Sequence, residues 1–534
     1  MTLGADKGVL ELKADVLILG GGPAGTWAAL TAAAKGASVV LADKGYCGSS
    51  GATAPSGTGV WYVEPDRELR EKAKASRYTL GGQLAEDRWM DRVLDQTYEN
   101  MNRLGVSGYP FPVDEYGRQH RRGLQGPEYM KLMRRLVKKA GVRILDHSPA
   151  LELLADEHGV AGASGVRTQS GGTWRVTAGA VVIATGGCAF LSKALGCNVL
   201  TGDGLLFAAE AGASMSGMEF SNAYAICPTF STVTKTAYYS YASFYYEDGS
   251  VVEGAGSKKG RSVIARNLLA GRQVYAKLDQ APDDLQPLLR VAQTNYFLPF
   301  DRLGINPFKD AFPVTLRLEG TVRGTGGIRI TDENCGTGVP GLYAAGDAAT
   351  RELICGGFTG GGSHNAAWAM SSGSFAGGGA ADYSLRLGAR AAGRNPSGLS
   401  SSTLTAHEGD RSSQSRTADY ISAVQDEVKP YDINLFRTGA GLTASLGRLD
   451  RLWKELRGGE VALTAHGVKR REAAAMTATA RWMYASALAR TETRGMHKRE
   501  DYKALDSGQH YRLASGGLDE IWVSPEAVKE SALL

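Results

Sequence analysis

Residues 15–43, DVLILGGGPAGTWAALTAAAKGASVVLAD, decide the fold of this chain. Residues 15–20 form a short run of aliphatic side chains, which predicts a buried parallel strand. The glycine-rich turn after it leads into residues 26–35, whose alanine and leucine content predicts a helix. Residues 37–43 are a second aliphatic run and predict a second buried strand. The order strand, helix, strand predicts a β–α–β unit and therefore an α/β fold.

The turn between the first strand and the helix carries a phosphate-binding pattern. Gly20, Gly22 and Gly25 have the G-x-G-x-x-G spacing, and Asp43 ends the second strand. The glycines let the chain turn tightly and let a pyrophosphate approach the backbone, while the helix N-terminus offers unpaired N–H groups. Asp43 is placed to accept hydrogen bonds from an adenosine ribose. The segment therefore predicts a dinucleotide-binding site.

Two later segments favour FAD over NAD as the dinucleotide. Residues 181–187 form another strand that ends in Thr185 and Gly186. Residues 341–349 form a strand with Gly346 and Asp347 in the loop after it. Flavoproteins with two dinucleotide-binding halves have this layout, with the late Gly-Asp turn at the ribityl and pyrophosphate groups. NAD dehydrogenases do not need the late element.

Length and composition exclude several classes of protein. At 534 residues the chain is long enough for about three to four domains. Its 43% hydrophobic and 22% charged residues exclude a disordered or collagen-like chain, and six cysteines are too few for a disulfide scaffold. The 70 glycines cluster in short runs, as expected where backbone approaches a ligand. The net charge of +5 is spread along the chain, so we expect no nucleic-acid binding.

The cysteines and the N-terminal sequence indicate whether the protein binds a metal and in which compartment it lies. The six cysteines form no C-x-x-C pair, so we expect no iron–sulfur cluster and no metal site. Free thiols indicate a reducing compartment, and we expect a cytoplasmic protein. The N-terminus lacks a basic stretch followed by an apolar one, so no secretion signal is expected. Residues 16–34 are uncharged, but the glycines and proline within them favour a strand–turn–helix over membrane insertion.

Further motifs extend along nearly the whole chain. They comprise residues 201–204 (TGDG), residues 218–220 (MEF), residues 326–328 (GGI), the glycine-rich residues 356–362, residues 371–375 (SSGSF) and residues 489–501 (ARTETRGMHKRED). With the dinucleotide-binding pattern, they resemble the fumarate reductase/succinate dehydrogenase flavoprotein superfamily, which includes L-aspartate oxidase and the alpha subunit of adenylylsulfate reductase. The motifs are specific for this family and not for a substrate.

The resemblance implies an α/β fold: a Rossmann-like FAD-binding domain with an inserted α+β capping domain, and a C-terminal helical domain. The FAD-binding domain would be discontinuous, with residues 1–223 and 318–400, and residues 224–317 would form the cap. Residues 397–415 are rich in serine and predict a linker, and residues 416–534 would form the helical domain. The residues expected to hold FAD are Gly20, Gly22, Pro23, Ala24, Gly25, Asp43, Lys44, Ser50, Gly51, Ala52, Thr185, Gly186, Asp203, Gly346, Asp347, Gly362 and Ser363.

Several members of this family carry FAD covalently on a histidine just after the second strand, within Ser-His-Thr. The matching stretch in this chain is residues 49–57, with Gly51 at the histidine position. No histidine occurs between residues 1 and 119. We therefore expect the FAD to be bound non-covalently.

The dicarboxylate enzymes of this family hold the substrate carboxylates with two histidines and one arginine. The matching positions here are Cys227, which precedes Pro-Thr, Val322, which lies four residues before Gly326, and Thr359 or a neighbour. Each buried charge-assisted partner is worth about 1.5–3 kcal/mol. The replacement of all three predicts that the substrate is not succinate, fumarate or aspartate.

One catalytic motif of the family is retained. The cap of relatives carries an arginine that transfers the proton opposite the hydride, within Gly-Arg-Asp-Val-Val-Ala-Arg. Residues 260–266, GRSVIAR, resemble it, with Ser262 in place of the acid. The resemblance gives Arg261 the proton-transfer role and makes Glu253 the candidate neighbouring acid. The alternative is that Arg261 is a surface arginine at the start of a helix.

His364, at the start of a helix after the glycine loop, is a second catalytic candidate. The family places the flavin N1 edge and the substrate there, and a helix N-terminus favours an anion. The alternative is that His364 only packs beneath the flavin. The aromatic residues 238–246 either line the pocket mouth or form the core of the cap. His497, with Arg494 and Arg499, resembles the family's C-terminal motif and is assigned no chemistry.

Three functions agree with these patterns. The first is an FAD-dependent oxidoreductase that transfers a hydride between flavin N5 and a small substrate under the cap. The second is the flavin subunit of an electron-transfer complex resembling adenylylsulfate reductase, which would pass electrons to a ferredoxin-like partner. The third is a non-catalytic flavin-binding protein, which the retained Arg261 motif disfavours. An oligomer is compatible with each of the three.

Overall fold

The computed structural model of the chain describes residues 8–113, 116–257, 259–359, 362–388, 390, 393–405 and 411–528, without the side chains of residues 411–415. Parts of the predicted segments therefore lie outside the described residues: both chain ends, Gly360 and Gly361 of the glycine-rich loop, and residues 406–410 of the linker.

The described strands are β1 Val9–Leu19, β2 Val39–Ala42, β3 Gly57–Gly59, β4 Gly123–Gln125, β5 Arg143–Leu145, β6 Ala150–Asp156, β7 Gly159–Val166, β8 Thr173–Ile183, β9 Met215–Ser216, β10 Ala223–Pro228, β11 Ser243–Tyr245, β12 Val274–Lys277, β13 Phe312–Gly320, β14 Gly327–Ile328, β15 Leu342–Ala344, β16 Ser397–Gly398, β17 Thr403–Thr405, β18 Glu460–Ala462, β19 Tyr511–Gly516 and β20 Trp522–Ala527. The described α-helices are α1 Pro23–Ala34, α2 Arg67–Leu80, α3 Asp87–Val106, α4 Gly126–Lys139, α5 Asp203–Glu210, α6 Gly260–Leu269, α7 Gln286–Ala292, α8 Thr294–Leu303, α9 Glu352–Cys355, α10 Gly362–Leu387, α11 Arg411–Val428, α12 Tyr431–Asn434, α13 Gly439–Leu456 and α14 Ala465–Ala489.

The largest sheet has eight strands and contains the β–α–β unit. Strands β5, β2, β1 and β8 lie side by side and are parallel, and β15 adds a further parallel strand along the C-terminal half of β8. Strands β7, β6 and β16 extend the sheet in antiparallel fashion. The pairing of β15 with β8 confirms that a late segment of the chain rejoins the Rossmann-like sheet. Strand β1 is longer than expected, because its first half pairs with the first half of β8.

Helices α1 and α10 cross on one face of this sheet at close distance. A Cβ at Gly373 would lie 2.4 Å from the backbone oxygen of Ala24, and one at Gly377 would lie 2.2 Å from that of Ala28. Only glycine therefore permits this approach of the two backbones. The contact places the middle of α10, from Gly373 onward, beside the first turn of α1, at the edge where the parallel strands end.

The inserted segment forms a second, smaller antiparallel sheet in the order β10-β13-β12-β11. Helices α6, α7 and α8 belong to the same segment, and aromatic side chains such as Tyr296, Phe297 and Phe300 fill its core. The segment contacts the first part of the chain directly: Asn295 Nδ2 donates to Pro55 O at 2.6 Å, and Gln125 Nε2 donates to Ala292 O at 2.9 Å. The cap is thus both α and β, as expected.

The C-terminal region begins with helices, as predicted, and ends differently. The predicted linker at residues 397–415 is wrong in part, because strands β16 and β17 lie within it and helix α11 begins at Arg411. Strands β19 and β20 form a hairpin, and β19 pairs with β9, which in turn pairs with β14. The last part of the chain is therefore joined to the FAD-binding part by a shared sheet. The division into domains at residues 223, 317 and 400 stays a prediction, and the limit at 317 falls inside β13.

Candidate active site

One large cavity, of about 1040 Å³, lies between the C-terminal edge of the parallel strands and the cap. Its wall contains every residue that was expected to hold FAD except Gly25, and it contains Arg261. His364 and Glu253 are not in the wall. The turn after β1, the loop after β2, the late Gly-Asp turn and the start of α10 thus meet around one space, although they are far apart in the sequence.

The glycine turn after β1 has two tight positions and one open position. A Cβ at Gly20, where φ is +107°, would lie 2.2 Å from Ala184 O, and one at Gly25 would lie 1.8 Å from Gly20 O. A Cβ at Gly22 would meet no heavy atom within 4 Å, and Gly22 faces the cavity. The first helical hydrogen bond runs from Thr26 N to Gly22 O, so the N–H groups just before Thr26 have no intrahelical acceptor. The open glycine and these N–H groups fit a dinucleotide pyrophosphate.

Asp43 connects the glycine turn to the loop after β2. Its Oδ2 atom accepts a hydrogen bond from Gly21 N at 2.5 Å, and its Oδ1 atom accepts from Gly45 N at 2.7 Å and Ser50 Oγ at 2.8 Å. A carboxylate has about four acceptor positions, so capacity for a ribose hydroxyl remains. Asp43 therefore orders the loop as well as facing the cavity.

Lys44 and Asp203 are bound to each other. Lys44 Nζ lies 2.7 Å from Asp203 Oδ2 and 2.6 Å from Glu472 Oε1 on α14, and it donates to Thr201 Oγ1 at 2.8 Å. Burial lowers the pKa of Lys44, but the two carboxylates outweigh it and the pKa is raised. The ion pair ties the loop after β2 to α5 and to the C-terminal helices.

The late turn is held by the residues around it. Gly346 N donates to Ser372 Oγ at 2.9 Å, and Trp368 Nε1 donates to Gly346 O at 3.0 Å, both from α10. Asp347 pairs with the fully buried Arg351, and burial raises the pKa of Asp347. Ser372 belongs to the SSGSF motif, so the structure gives that motif a local role in fixing the Gly-Asp turn.

On the cap side, Arg261 projects into the cavity from the start of α6. Solvent reaches it through the cavity, while protein encloses it on most sides, and this enclosure lowers the pKa of Arg261 to about 10. Arg323 lowers it further, and Glu319 acts in the opposite direction. Among the described residues, Arg261 has no hydrogen-bond or ion-pair partner.

The prediction that Glu253 is the acid beside Arg261 is wrong. Glu253 is exposed on the turn before α6 and is absent from the cavity wall, because the loop directs it to solvent. The carboxylate that acts on Arg261 is Glu319, at the end of β13 and fully buried. No sequence motif connected residues 261 and 319. The antiparallel register of the cap sheet brings β13 to the cavity.

Glu319 is the centre of a charged cluster that the sequence analysis missed. Its carboxylate lies 3.0 Å from Lys235 Nζ and 3.3 Å from Arg323 Nη1, and it accepts a hydrogen bond from Thr234 Oγ1 at 2.7 Å. Burial would raise the pKa of Glu319, but the cations and hydrogen bonds lower it to about 2. Both Lys235 and Arg323 are in the cavity wall. The one signal in the sequence was the position of Arg323 directly after Val322.

His364 lies behind the cavity wall and not in it. It is 1% exposed, its ring centroid is 4.7 Å from that of Trp61, and its Nε2 atom has no partner among the described residues. Burial, reinforced by Arg77, lowers the pKa of His364 to about 3, so the ring is neutral. Its neighbours Ser363 and Asn365 face the cavity instead. The packing alternative describes this geometry better than a catalytic role.

The three positions that correspond to dicarboxylate anchors are differently placed. Val322 is in the cavity wall, whereas Cys227 is buried away from it with its thiol beside Arg317. Thr359 is buried and donates to Arg323 O at 2.9 Å. None of the three side chains carries a charge, but Arg323 and Lys235 supply cations close by. Cations are therefore present near these three positions, although not at them.

Some of the aromatic residues 238–246 line the cavity, and others do not. Tyr238, Tyr239 and Phe244 are in the cavity wall, whereas Tyr245 and Tyr246 are not. His497 is buried, and its Nδ1 atom lies 2.9 Å from Arg437 Nη1, away from the cavity. His120, which the sequence analysis did not consider, reaches the wall from an exposed loop.

Comparisons with known proteins agree with this geometry. Residues 15–232 match a model of the FAD-binding domain, and residues 426–526 match a model of the fumarate reductase flavoprotein C-terminus. An L-aspartate oxidase from Streptomyces coelicolor is 26% identical over 93% of this chain and 90% of its own length. A probable fumarate reductase from Shewanella frigidimarina is 28% identical over 39% of this chain and 40% of its own length.

Two solved structures have the same fold over almost the whole chain. A variant of the E. coli quinol fumarate reductase FrdA superposes with a TM-score of 0.82 at 20% identity and covers 98% of both chains. The adenylylsulfate reductase from Archaeoglobus fulgidus superposes with a TM-score of 0.77 at 18% identity, again covering 98% of both chains.

The fold, the cavity and the matched domains define an FAD-dependent oxidoreductase, with FAD as its cofactor. The chain carries the FAD-binding domain and the fumarate reductase flavoprotein C-terminal domain, and it is similar to members of the fumarate reductase/succinate dehydrogenase flavoprotein superfamily. Among the described residues, no helix is long and apolar enough to span a membrane, and no cluster of side chains could hold a metal ion. The cytoplasmic location and the ferredoxin-like partner stay predictions.

Proposed function

We propose that the protein transfers a hydride between non-covalently bound FAD and a small substrate held under the cap, and that this substrate is not a simple dicarboxylate. The observation that carries the proposal is the side chain of Arg261, which reaches the cavity from the cap without a partner among the described residues. FAD supplies the hydride chemistry when it is bound. The protein supplies the enclosed space and the proton.

Arg261 is suited to proton transfer by its surroundings. A guanidinium normally stays protonated, and enclosure lowers the pKa of Arg261 to about 10, which brings it nearer to the range of a general acid. It remains charged at neutral pH, so it can also attract a substrate anion. His364 is neutral and behind the wall, and Glu253 is exposed, so neither competes for this role.

The dicarboxylate enzymes bind two carboxylates through fixed anchors, and here the matching side chains are a thiol, an isopropyl group and a hydroxyl. Cys227 does not reach the cavity, and Val322 offers only methyl groups to it. The cations that do face the cavity lie at other positions. Because the cations are arranged differently from those of the dicarboxylate enzymes, we expect a substrate other than a dicarboxylate.

The test of the catalytic role is Arg261→Lys, with Arg266→Lys on the same helix as the matched control, because Arg266 pairs with Glu500 outside the cavity. Lysine keeps the charge and loses the planar fork. With whichever donor reduces the wild-type flavin, Arg261→Lys should retain FAD and lose roughly 10²–10⁴ in turnover, and Arg266→Lys should not change it. Equal rates of flavin bleaching in wild type and Arg261→Lys would remove Arg261 from the mechanism.

Substrate choice is tested separately by the visible absorbance of the flavin. Succinate and L-aspartate should leave the oxidised flavin unchanged, and fumarate should not reoxidise the dithionite-reduced protein. Rapid bleaching by either donor, or rapid reoxidation by fumarate, would contradict the proposed substrate class while leaving the role of Arg261 intact.

A further inference from the structure

The cap side of the cavity has an excess of positive charge. Three cations are close together there, Lys235, Arg261 and Arg323, with the carboxylate of Glu319 among them. A second carboxylate near Lys235, that of Asp347, is paired with the fully buried Arg351. Like charges at such short range repel one another, and the solvent in the cavity screens this repulsion only in part. Proteins keep such an arrangement when a ligand supplies the missing counter-charge.

The hydrogen bonds show which cations are already occupied. Lys235 Nζ has three donor positions, and it contacts Glu319 Oε1 at 3.0 Å, Leu195 O at 3.1 Å and Cys197 Sγ at 3.3 Å. Its ammonium group is therefore saturated. Lys235 neutralises the charge of Glu319 and has no N–H group left for a ligand.

Arg323 differs from Lys235 because most of its donors remain available. A guanidinium has five N–H groups, and the one contact of the Arg323 side chain among the described residues is Nη1 to Glu319 Oε2 at 3.3 Å. Glu319 thus fixes the orientation of Arg323, while Lys235 takes up the charge of Glu319. Arg323 therefore shares a single carboxylate with Lys235, and Arg261 has no ion-pair partner among the described residues, so these four side chains keep a net positive charge. Of the other cations in the cavity wall, Lys44 pairs with Asp203 and Glu472, and Arg77 acts on His364.

We propose that Arg261 and Arg323 together form an anion subsite for a single oxyanion group, such as a carboxylate, of an otherwise apolar organic substrate. The apolar remainder of such a substrate would face the rest of the cap-side wall, where Ile226, Tyr239 and Phe244 offer uncharged surface. Glu319 is a positioning residue in this arrangement, since it acts through Arg323. The subsite rests on the proposed function, because it names the substrate class of the same cavity.

The test is ligand binding to the FAD-loaded protein without turnover. Acetate, butyrate, benzoate and phenylacetate are titrated while the visible spectrum of the flavin and the intrinsic fluorescence are recorded. The matching amides, which have nearly the same shape and no charge, serve as neutral probes. We expect at least one carboxylate to bind saturably, with benzoate or phenylacetate tighter than acetate, and each amide to bind at least tenfold more weakly.

The variant is Arg323→Gln, and the matched control is Arg302→Gln on the exposed face of α8, outside the cavity. Arg323→Gln should weaken carboxylate binding roughly ten- to hundredfold, the worth of one charge-assisted contact, and leave amide binding unchanged. Arg302→Gln should change neither. FAD content and thermal unfolding are measured for both variants, and Arg323→Lys, which keeps the charge, should recover part of the affinity.

Several results would overturn the subsite. The first is that none of the four carboxylates binds saturably, and the second is that the acids and their amides bind equally well. The third is that Arg323→Gln binds carboxylates as tightly as the wild type. The fourth is that succinate binds more tightly than any of the four carboxylates. Failure of the proposed function has a different outcome: carboxylates would bind as expected, but no donor would reduce the flavin. The two ideas can therefore fail separately.

Discussion

Gly22 offers the sharpest test of how the cofactor is held, because the structure gives it a matched control in the same turn. A Cβ at Gly22 meets no protein atom within 4 Å and points to the cavity, whereas a Cβ at Gly25 would lie 1.8 Å from Gly20 O. The backbone at Gly22 has φ −73° and ψ −172°, which alanine adopts without strain. Gly22→Ala should therefore alter the cavity and spare the fold, and Gly25→Ala should disturb the fold.

The magnitudes follow from these contacts. Alanine at the N-cap of α1 should cost about 1 kcal/mol of stability or less, while the overlap at Gly25 should cost about 1–3 kcal/mol or more. The methyl group of Gly22→Ala would keep a phosphate from the N–H groups of the turn. Each lost charge-assisted contact is worth about 1.5–3 kcal/mol, which is roughly a ten- to 150-fold loss in FAD affinity.

The assay is titration of the FAD-free protein with FAD, followed by quenching of flavin fluorescence, with urea unfolding of the same FAD-free preparations. Gly22→Ala should show weak FAD binding and at most a small fall in the unfolding midpoint. Gly25→Ala should show a lowered midpoint. If Gly22→Ala bound FAD as tightly as the wild type, the pyrophosphate would not lie on this turn and the placement of the cofactor would be refuted.

Three further predictions concern the flavin link and two buried titratable groups. Acid or heat denaturation should release the FAD into the supernatant, because Gly51 takes the place of the linking histidine. Flavin that stayed on the denatured polypeptide would show a covalent link, for which His120 in the cavity wall would be a candidate. Burial, and after it the charge of Glu219, raises the pKa of Glu352 from 4.5 to about 8. Between these pH values the folded protein keeps the proton of Glu352 and the unfolded chain loses it. The free energy of unfolding should therefore fall as the pH rises from about 4.5 to 8. Urea unfolding at several pH values should show a shallower fall in Glu352→Gln, and an identical slope would exclude Glu352 as the cause. The pKa of His364 is lowered to about 3 from 6.5, so its ring resonances should not titrate between pH 5 and 9, and a midpoint near 6.5 would show that the ring is solvated.

The cofactor half of the site could be predicted from the sequence because its determinants are local. Gly20, Gly22, Gly25 and Asp43 lie within a single β–α–β unit, where strand, turn and helix follow one another along the chain. Glycine is required there by backbone geometry, and such requirements leave a fixed spacing in the sequence. The late turn at Gly346 could be recognised for the same reason.

The substrate half could not be predicted in this way, because tertiary contacts define it. Glu253 is the acid nearest to Arg261 along the chain, but the loop before α6 turns it to solvent. Glu319 lies 58 positions from Arg261 in the numbering and reaches it only through the register of β10 and β13. His364 likewise follows the glycine loop but points behind the wall.

The sequence by itself determined the class of this protein, an α/β flavoprotein, and it singled out the glycine turns and the cap arginine that line the cavity. The tertiary structure alone decided which charges face the cavity, namely that Lys235 and Arg323 share the carboxylate of Glu319 and that Arg261 has no ion-pair partner among the described residues. The physical reason is the range of the interactions. Backbone turns depend on neighbouring residues, whereas the balance of charge in a cavity depends on side chains that only the packing of the cap against the sheet brings together.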